Sequence, residues 1–272
     1  MGAILAANPV RLLGKVVRHP DRAALRLLLQ WRVSREGSDS RRTRLLTFLS
    51  ERYGVDAWAL EAEYARSEYA RWHRAQVQAL RHFPGPYRAG TTNELDCECL
   101  YILVRAAKPL TVIETGVLYG ASSGHLLAAL EANGAGTLHS IEMGRESREP
   151  AHDFFVPEDL KHRWDLIIGD SRRELPALVG RLPSVDLFHH DSLHTFDHMT
   201  WEFEAIFPHL APGGVLSSHD VAIAHGIREV FRQNAFPAFC ERHRVDWATF
   251  GNLGLLFRES QELGAMSCAT AG

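Results

Sequence analysis

Two stretches of this 272-residue chain concentrate side chains capable of acid–base or metal chemistry. Residues 185–198 read VDLFHHDSLHTFDH and hold His189, His190, Asp191, His194, Asp197 and His198. Residues 210–220 read LAPGGVLSSHD and end in His219-Asp220. In each, an apolar run precedes the polar residues, the pattern of a buried strand whose carboxyl end emerges at a site. Asp191 and Asp220, at neighbouring strand ends, offer the hard oxygens that Mg²⁺ takes, with water and acceptor oxygens completing the octahedron. A histidine beside Asp220 suits Mn²⁺, Fe²⁺ or Zn²⁺ better. Asp191, His219 and Asp220 are therefore the candidate metal ligands. In a metal-free alternative, His194 is a general base with its pKa set by Asp191 or Asp220. A third reading is structural, with histidines satisfying one another at a strand edge. The sequence leaves all three open.

A further stretch, residues 111–130, reads TVIETGVLYGASSGHLLAAL and sets an acid, then glycines, between an apolar run and a helical one. Gly116 and Gly120 allow a tight turn and a close approach of backbone to ligand. Ser122, Ser123 and the helix start add donors. Dinucleotide binding needs G-x-G-x-x-G, and a phosphate loop needs a terminal Gly-Lys-Ser/Thr. Here the spacing is E-x-G-x-x-x-G with leucine at 118, which argues against NAD and against a phosphate loop. Acids also end the next two apolar runs. Glu142 is placed to accept from both hydroxyls of a ribose, as in other nucleoside-binding α/β folds. Asp170, in Gly169-Asp170-Ser171, is placed to accept from an adenine amino group. Three acids at successive strand ends describe a nucleoside site. Its candidate contacts are Glu114, Gly116, Tyr119, Gly120, Ser122, Ser123, Glu142, Asp170, Ser171 and Asp191.

These residues need strands that end together. Apolar runs at 111–114, 137–142, 165–169, 185–189 and 215–218 alternate with helical periodicity at 122–133, 172–179, 196–210 and 226–234. A helix at 95–107 leads in, and 249–250 and 253–257 close as a hairpin through Gly251-Asn252. Pro212-Gly213-Gly214 reads as the turn into the fifth strand. This alternation predicts right-handed βαβ units in a doubly wound, mostly parallel α/β sheet. Ligands then bind beyond the carboxyl ends of the strands, where strand order reverses.

Residues 1–90 read as a helical, basic region ahead of a nucleoside-binding domain at 91–272. The first fifty residues carry nine Arg and one Lys against three acids, a local net charge of +7. Residues 23–31, 43–53 and 58–82 have helical spacing, 36–42 reads as a loop, and Pro84-Gly85-Pro86 ends the last helix. This region is a candidate for homo-oligomer contacts. Thr91, Thr92 and Asn93 are placed to cover the cofactor. The whole chain has a charge of −3, which argues against a general nucleic-acid binder. No apolar run reaches the ~18 residues of a membrane span. Cys97, Cys99, Cys240 and Cys268 form no metal or redox spacing and read as free thiols of a reducing compartment. A cytoplasmic protein with a small-molecule acceptor is expected.

Residues 92–257 resemble the class I S-adenosylmethionine-dependent methyltransferases. The motifs are VIETGVLYGAS, the strand-end Glu142, GDS at 169–171, and the stretches VDLFHHDSLHTFDH and LAPGGVLSSHD. Within that class the chain is similar to the macrocin and novobiocic-acid O-methyltransferases and the cephalosporin-hydroxylase-like group. The resemblance implies a Rossmann-like seven-stranded sheet with its last strand antiparallel. It implies that Glu114 and Gly116 flank the methionine part of S-adenosylmethionine, that Glu142 takes the ribose, and that Asp170 sits near the adenine. It also implies methyl transfer to a small hydroxylated molecule, such as a sugar or secondary metabolite, assisted by Mg²⁺ or Mn²⁺. Metal-dependent relatives carry an acidic pair after the fifth strand. His219-Asp220 departs from that pair, so a metal-free reaction with His194 and Asp191 stays in play. An alternative from another class is a non-catalytic S-adenosylmethionine-binding partner protein.

Overall fold

The computed structural model of the chain describes residues 37–82, 92–144, 151–221 and 234–259. Three helices come first, α1 (Ser38–Tyr53), α2 (Ala57–Arg66) and α3 (Glu68–Leu80). Helix α1 starts five residues earlier than its apolar spacing indicates. Gly37 stands at its N-cap and Asp39 in its first turn, so the polar stretch expected as a loop is mostly helix. The single helix expected over 58–82 is broken at Ser67. That serine ends α2 and caps α3, its side chain accepting from the Ala70 amide at 3.0 Å. The helix expected at 23–31 and the Pro84-Gly85-Pro86 stop lie outside the described residues.

From α4 (Glu94–Ala107) onward, strands and helices alternate. The order is β1 (Thr111–Thr115), α5 (Ala121–Asn133), β2 (Thr137–Glu142), β3 (Trp164–Ile168), α6 (Ser171–Val179), β4 (Val185–His190), α7 (Phe196–Ile206), β5 (Leu210–Ser218), α8 (Ala235–His243), β6 (Asp246–Phe250) and β7 (Leu253–Phe257). The seven strands run in the order β3-β2-β1-β4-β5-β7-β6. All pairs are parallel except those of β7, which is antiparallel to both β5 and β6. This is the doubly wound sheet expected, and its order reverses between β1 and β4, where ligands collect.

Two sequence expectations change near β5. The helix expected to reach 210 stops at Ile206, followed by one 3₁₀ turn over Phe207–His209. Pro212-Gly213-Gly214 is not a turn before the strand but part of β5, which runs from Leu210. A register shift between Val185 and Leu187 absorbs the irregularity, and Gly213 has a φ of 78°. The helix expected at 226–234 lies outside the described residues except Asn234, which caps α8 by accepting from the Phe236 amide. Helix α8 itself was not legible, because Pro237 interrupts a nine-residue segment.

Each face of the sheet is covered. On one side α1, α4 and α5 bury Leu45, Leu49, Leu100, Leu103, Leu126 and Leu130 against Val112, Leu138 and Leu187, and α2 and α3 add Tyr64 and Tyr69. On the other, α6, α7 and α8 bury Leu175, Phe203, Phe236 and Phe239 against Ile113, Phe188 and Leu216. The first three helices thus share one core with the sheet. Cys97, Cys99 and Cys240 are buried free thiols. No helix among the described residues is long and apolar enough to cross a membrane.

Candidate functional site

The loop after β1 is shaped by three left-handed residues, Gly116 (φ 87°), Leu118 (φ 54°) and Gly120 (φ 81°). A Cβ at Gly116 would overlap the Asp191 carbonyl, so only glycine lets this loop lie against the end of β4. Beneath the loop, Glu114 is fully buried and accepts from three serines. The bonds come from Ser122 Oγ (2.5 Å), Ser123 Oγ (2.5 Å) and Ser140 Oγ (2.8 Å). Burial pushes its carboxyl up to about 7, and the serine hydroxyls offset only part of that shift. Glu142, at the end of β2, accepts from the Val117 and Leu118 amides at 2.7 and 2.9 Å, both on Oε2. The two acids therefore brace the loop from below and from the side.

A cavity of about 900 Å³ opens over this loop at the carboxyl ends of the strands. Its walls include Gly116, Tyr119, Ser122, Glu142, Asp170, Ser171 and Asp191. Glu114 and Ser123 do not line it; they lie behind it, fully buried. Gly120 also stays out of the wall, where it lets the backbone pass close to the His152 carbonyl. Tyr119 does not project freely but packs against Leu80, Cys97 and Phe155. Asp170 is exposed and caps α6 through Oδ1, which accepts from the Arg172 amide at 2.9 Å.

The opposite wall carries Asp191, His194, His219 and Asp220. Asp191 follows β4, and its amide donates to the Thr115 carbonyl at 2.8 Å, which sets it directly above β1. Its Oδ2 accepts from Thr92 Oγ1 at 2.6 Å. Its Oδ1 lies 3.1 Å from His219 Nδ1 and 3.3 Å from His194 Nε2. One ligand atom each from Asp191, His194 and His219 can be chosen so that all lie within 4.8 Å of one another. Asp220 stands beside them. Its Oδ1 is 3.4 Å from His219 Nδ1 and accepts from Asn252, while its Oδ2 is 3.9 Å from His194 Nδ1. The backbone of Asp220 is left-handed, with φ 56°, an uncommon state for a non-glycine residue that holds its carboxylate over the cavity edge.

Charges within this cluster are sharply divided. Burial alone would raise the Asp191 carboxyl, but His219 and His194 outweigh it and hold it well below the usual range. Burial works against a charge on His219, yet Asp191, Asp96 and Asp220 outweigh it and hold that imidazole well above its usual range. Burial lowers His194, with Asp191 and Asp220 opposing, so this ring favours its neutral form.

Several residues of the sequence clusters serve elsewhere. His189 is buried, with Nδ1 2.8 Å from Ser217 Oγ. His190 is buried, with Nδ1 2.6 Å from Glu202 Oε2. Asp197 is exposed in the first turn of α7. His198 lines the cavity, and its Nε2 lies 2.9 Å from Glu202 Oε1. Glu202 is fully buried and also accepts from Thr115 Oγ1 (2.6 Å) and Ser192 Oγ (3.0 Å), tying the loop after β4 to β1 and α7. The helical spacing of His198 and Glu202 is the signal that marks this pair. Asp96 on α4 was not legible at all, since it meets His219 across 123 residues of sequence. Thr91 and His225 lie outside the described residues.

Comparison with known proteins agrees with this geometry. Residues 113–221 match a family model described as a methyltransferase domain. No curated protein sequence matches the chain. Among solved structures, the chain is similar to the O-methyltransferase TomG from Streptomyces achromogenes, involved in tomaymycin synthesis and solved with S-adenosylmethionine. Identity is 19%, the TM-score is 0.56, and the match covers 74% of this chain and 96% of that one. It is also similar to an O-methyltransferase from Bacillus cereus solved with S-adenosylhomocysteine, at 15% identity and a TM-score of 0.55, over 74% and 97% of the two chains. A third is the methyltransferase PaMTH1 from Podospora anserina, at 16% identity and a TM-score of 0.51, over 80% and 95%. The family match spans the strands that build the cavity, and the solved structures share the fold of the chain.

Proposed function

We propose that the chain transfers the methyl group of S-adenosylmethionine to a hydroxyl of a small molecule, a sugar or secondary metabolite, with a divalent ion held at the β4–β5 edge. One observation carries this reading: Asp191, His194 and His219 converge on the wall of the cavity that the glycine loop closes. The names of the similar solved proteins support the O-methyl class.

On this reading the cofactor lies along the loop 114–124. Gly116 gives it close backbone approach, and Ser122 and Tyr119 line its methionine half. Glu142 takes the ribose, while Asp170 and Ser171 face the adenine. Glu114 and Ser123 act through the loop, as a brace. Methyl transfer from a sulfonium is an in-line displacement, so the protein's task is alignment and removal of the acceptor's proton. The donor set fits a divalent ion. Asp191, His194 and His219 would hold it with Asp220 adjacent, and two imidazoles favour Mn²⁺, Fe²⁺ or Zn²⁺ over Mg²⁺. Such an ion would lower the pKa of a bound acceptor hydroxyl.

A second reading rests on the neutral state of His194. With Nε2–H donated to Asp191, Nδ1 keeps a lone pair near Asp220 and can take the acceptor's proton. The two readings separate on metal-stripped protein assayed with S-adenosylmethionine against a panel of hydroxylated acceptors. Activity regained with Mn²⁺ and not with chelator supports the first. Full activity in chelator overturns it and leaves the histidine base. Cofactor binding with no transfer to any acceptor in either state favours a non-catalytic partner protein.

A further inference from the structure

The cluster at the β4–β5 edge is anchored from outside the methyltransferase motifs. Asp96, in the first turn of α4, is fully buried. Its Oδ2 lies 3.1 Å from His219 Nε2 and accepts from the Asn93 side chain. Its Oδ1 lies 3.2 Å from Nη1 of Arg41 on α1. Arg41 reaches this point by crossing the β6–β7 turn at Gly251. A Cβ there would overlap its guanidinium, so only glycine leaves the path open. The neighbouring Asn252 donates to Asp220. Arg41, Asp96 and His219 thus form a chain from the first helix of the described structure to the cavity wall.

The physical consequence is specific. A buried carboxylate without a cation is costly, and Arg41 supplies that cation. Asp96 in turn takes the hydrogen on His219 Nε2. That fixes the ring orientation and aims Nδ1 at Asp191 and into the group where His194 also points. An outer carboxylate that orients a ligating histidine raises its basicity and sharpens its geometry. We infer that Arg41 and Asp96 are positioning residues that aim His219 Nδ1 at the site, where a divalent ion would take the place of the Nδ1 proton, and that α1 thereby completes the site. This inference rests on the metal reading proposed above.

The test uses the full-length protein, stripped with chelator and titrated calorimetrically with Mn²⁺ and, separately, with S-adenosylhomocysteine. Asp96→Asn is expected to weaken Mn²⁺ binding about 10- to 100-fold, the usual effect of losing an outer-shell carboxylate. Arg41→Gln, whose side chain is 15% exposed and tolerates change more readily, is expected to weaken it several-fold. S-adenosylhomocysteine affinity should stay at the wild-type value in both, which a merely structural role would not allow. Wild-type Mn²⁺ affinity in both variants, with Asp191→Asn silent toward Mn²⁺, overturns the clamp and leaves the metal reading standing. No Mn²⁺ binding by the wild type overturns both. Should Asp96→Asn fail to fold, Arg41→Gln decides alone.

Discussion

Glu114 and Asp191 are two carboxylates at the ends of paired strands, one fully buried and one at the cavity wall, and they are held in opposite ways. Glu114 receives three serine hydroxyls and, among the described residues, no cation, and burial drives its carboxyl to about 7. Asp191 is half-buried beside His219 and His194 and stays ionised far below its usual range. Desolvation pushes both carboxyls up, so the charge of the neighbours decides. Neutral hydroxyls make a brace, and the cationic His219 makes a lasting anion. On the proposed reading the glycine loop stays fixed under the cofactor and the β4–β5 edge holds charge beside the acceptor.

The largest expected effect comes from removing the anion. Asp191→Asn should lower methyl transfer by roughly 10²- to 10⁴-fold, the range for losing a positioned acid–base or metal group. Single-turnover transfer from S-adenosylmethionine measures it. A loss below tenfold would mean that Asp191 is a brace like Glu114. Next is Gly116, where the two regions touch. Alanine there must adopt a φ of 87° and overlap the Asp191 carbonyl. A stability loss of about 1–3 kcal/mol is expected in urea unfolding; an unchanged midpoint would show that the contact is soft.

Much of this site was legible because its residues follow their strands. Glu114 and Gly116 flank the end of β1, Glu142 ends β2 and Asp191 follows β4, and strand ends are what an alternating apolar pattern marks best. What stayed hidden depends on contacts distant in sequence. Glu114 looked like a ligand contact, but its serine partners can be counted only once the helix start folds back over β1. Asp170 looked like an adenine acceptor, and its short spacing to Arg172 also fits the helix cap it forms. His189 and His190 resembled site residues, yet alternation along β4 sends them to the two buried faces of the sheet, to Ser217 and Glu202. Asp96 and Arg41 gave no local signal at all.

Smaller effects sharpen the comparison through pH. The folded protein keeps the Glu114 proton up to about pH 7, whereas the unfolded chain loses it near the ordinary glutamate value of 4.5. Folding therefore binds a proton in that window, and this contribution to stability falls as pH rises through it. Glu114→Gln should flatten that fall in a series of Tm measurements from pH 4.5 to 7.5. An unchanged slope would mean that the brace is ionised. His73 and His125 act with the opposite sign. Burial lowers them to about 4 and about 3, so the unfolded chain binds their protons first as pH drops below 6.5. Stability they contribute at neutral pH is lost toward pH 4. His73 Nδ1 is buried with no hydrogen-bond partner among the described residues. His73→Phe should therefore reduce the acid loss and raise neutral-pH stability by about 1 kcal/mol. A destabilised variant would show that the ring nitrogen matters.

The most direct test of the division between brace and charged edge is paired titration of Asp191→Asn. S-adenosylhomocysteine and Mn²⁺ would each be titrated into metal-stripped protein, with the wild type alongside. The expected result is a variant that still binds S-adenosylhomocysteine and no longer binds Mn²⁺. Mn²⁺ affinity equal to that of the wild type would contradict it.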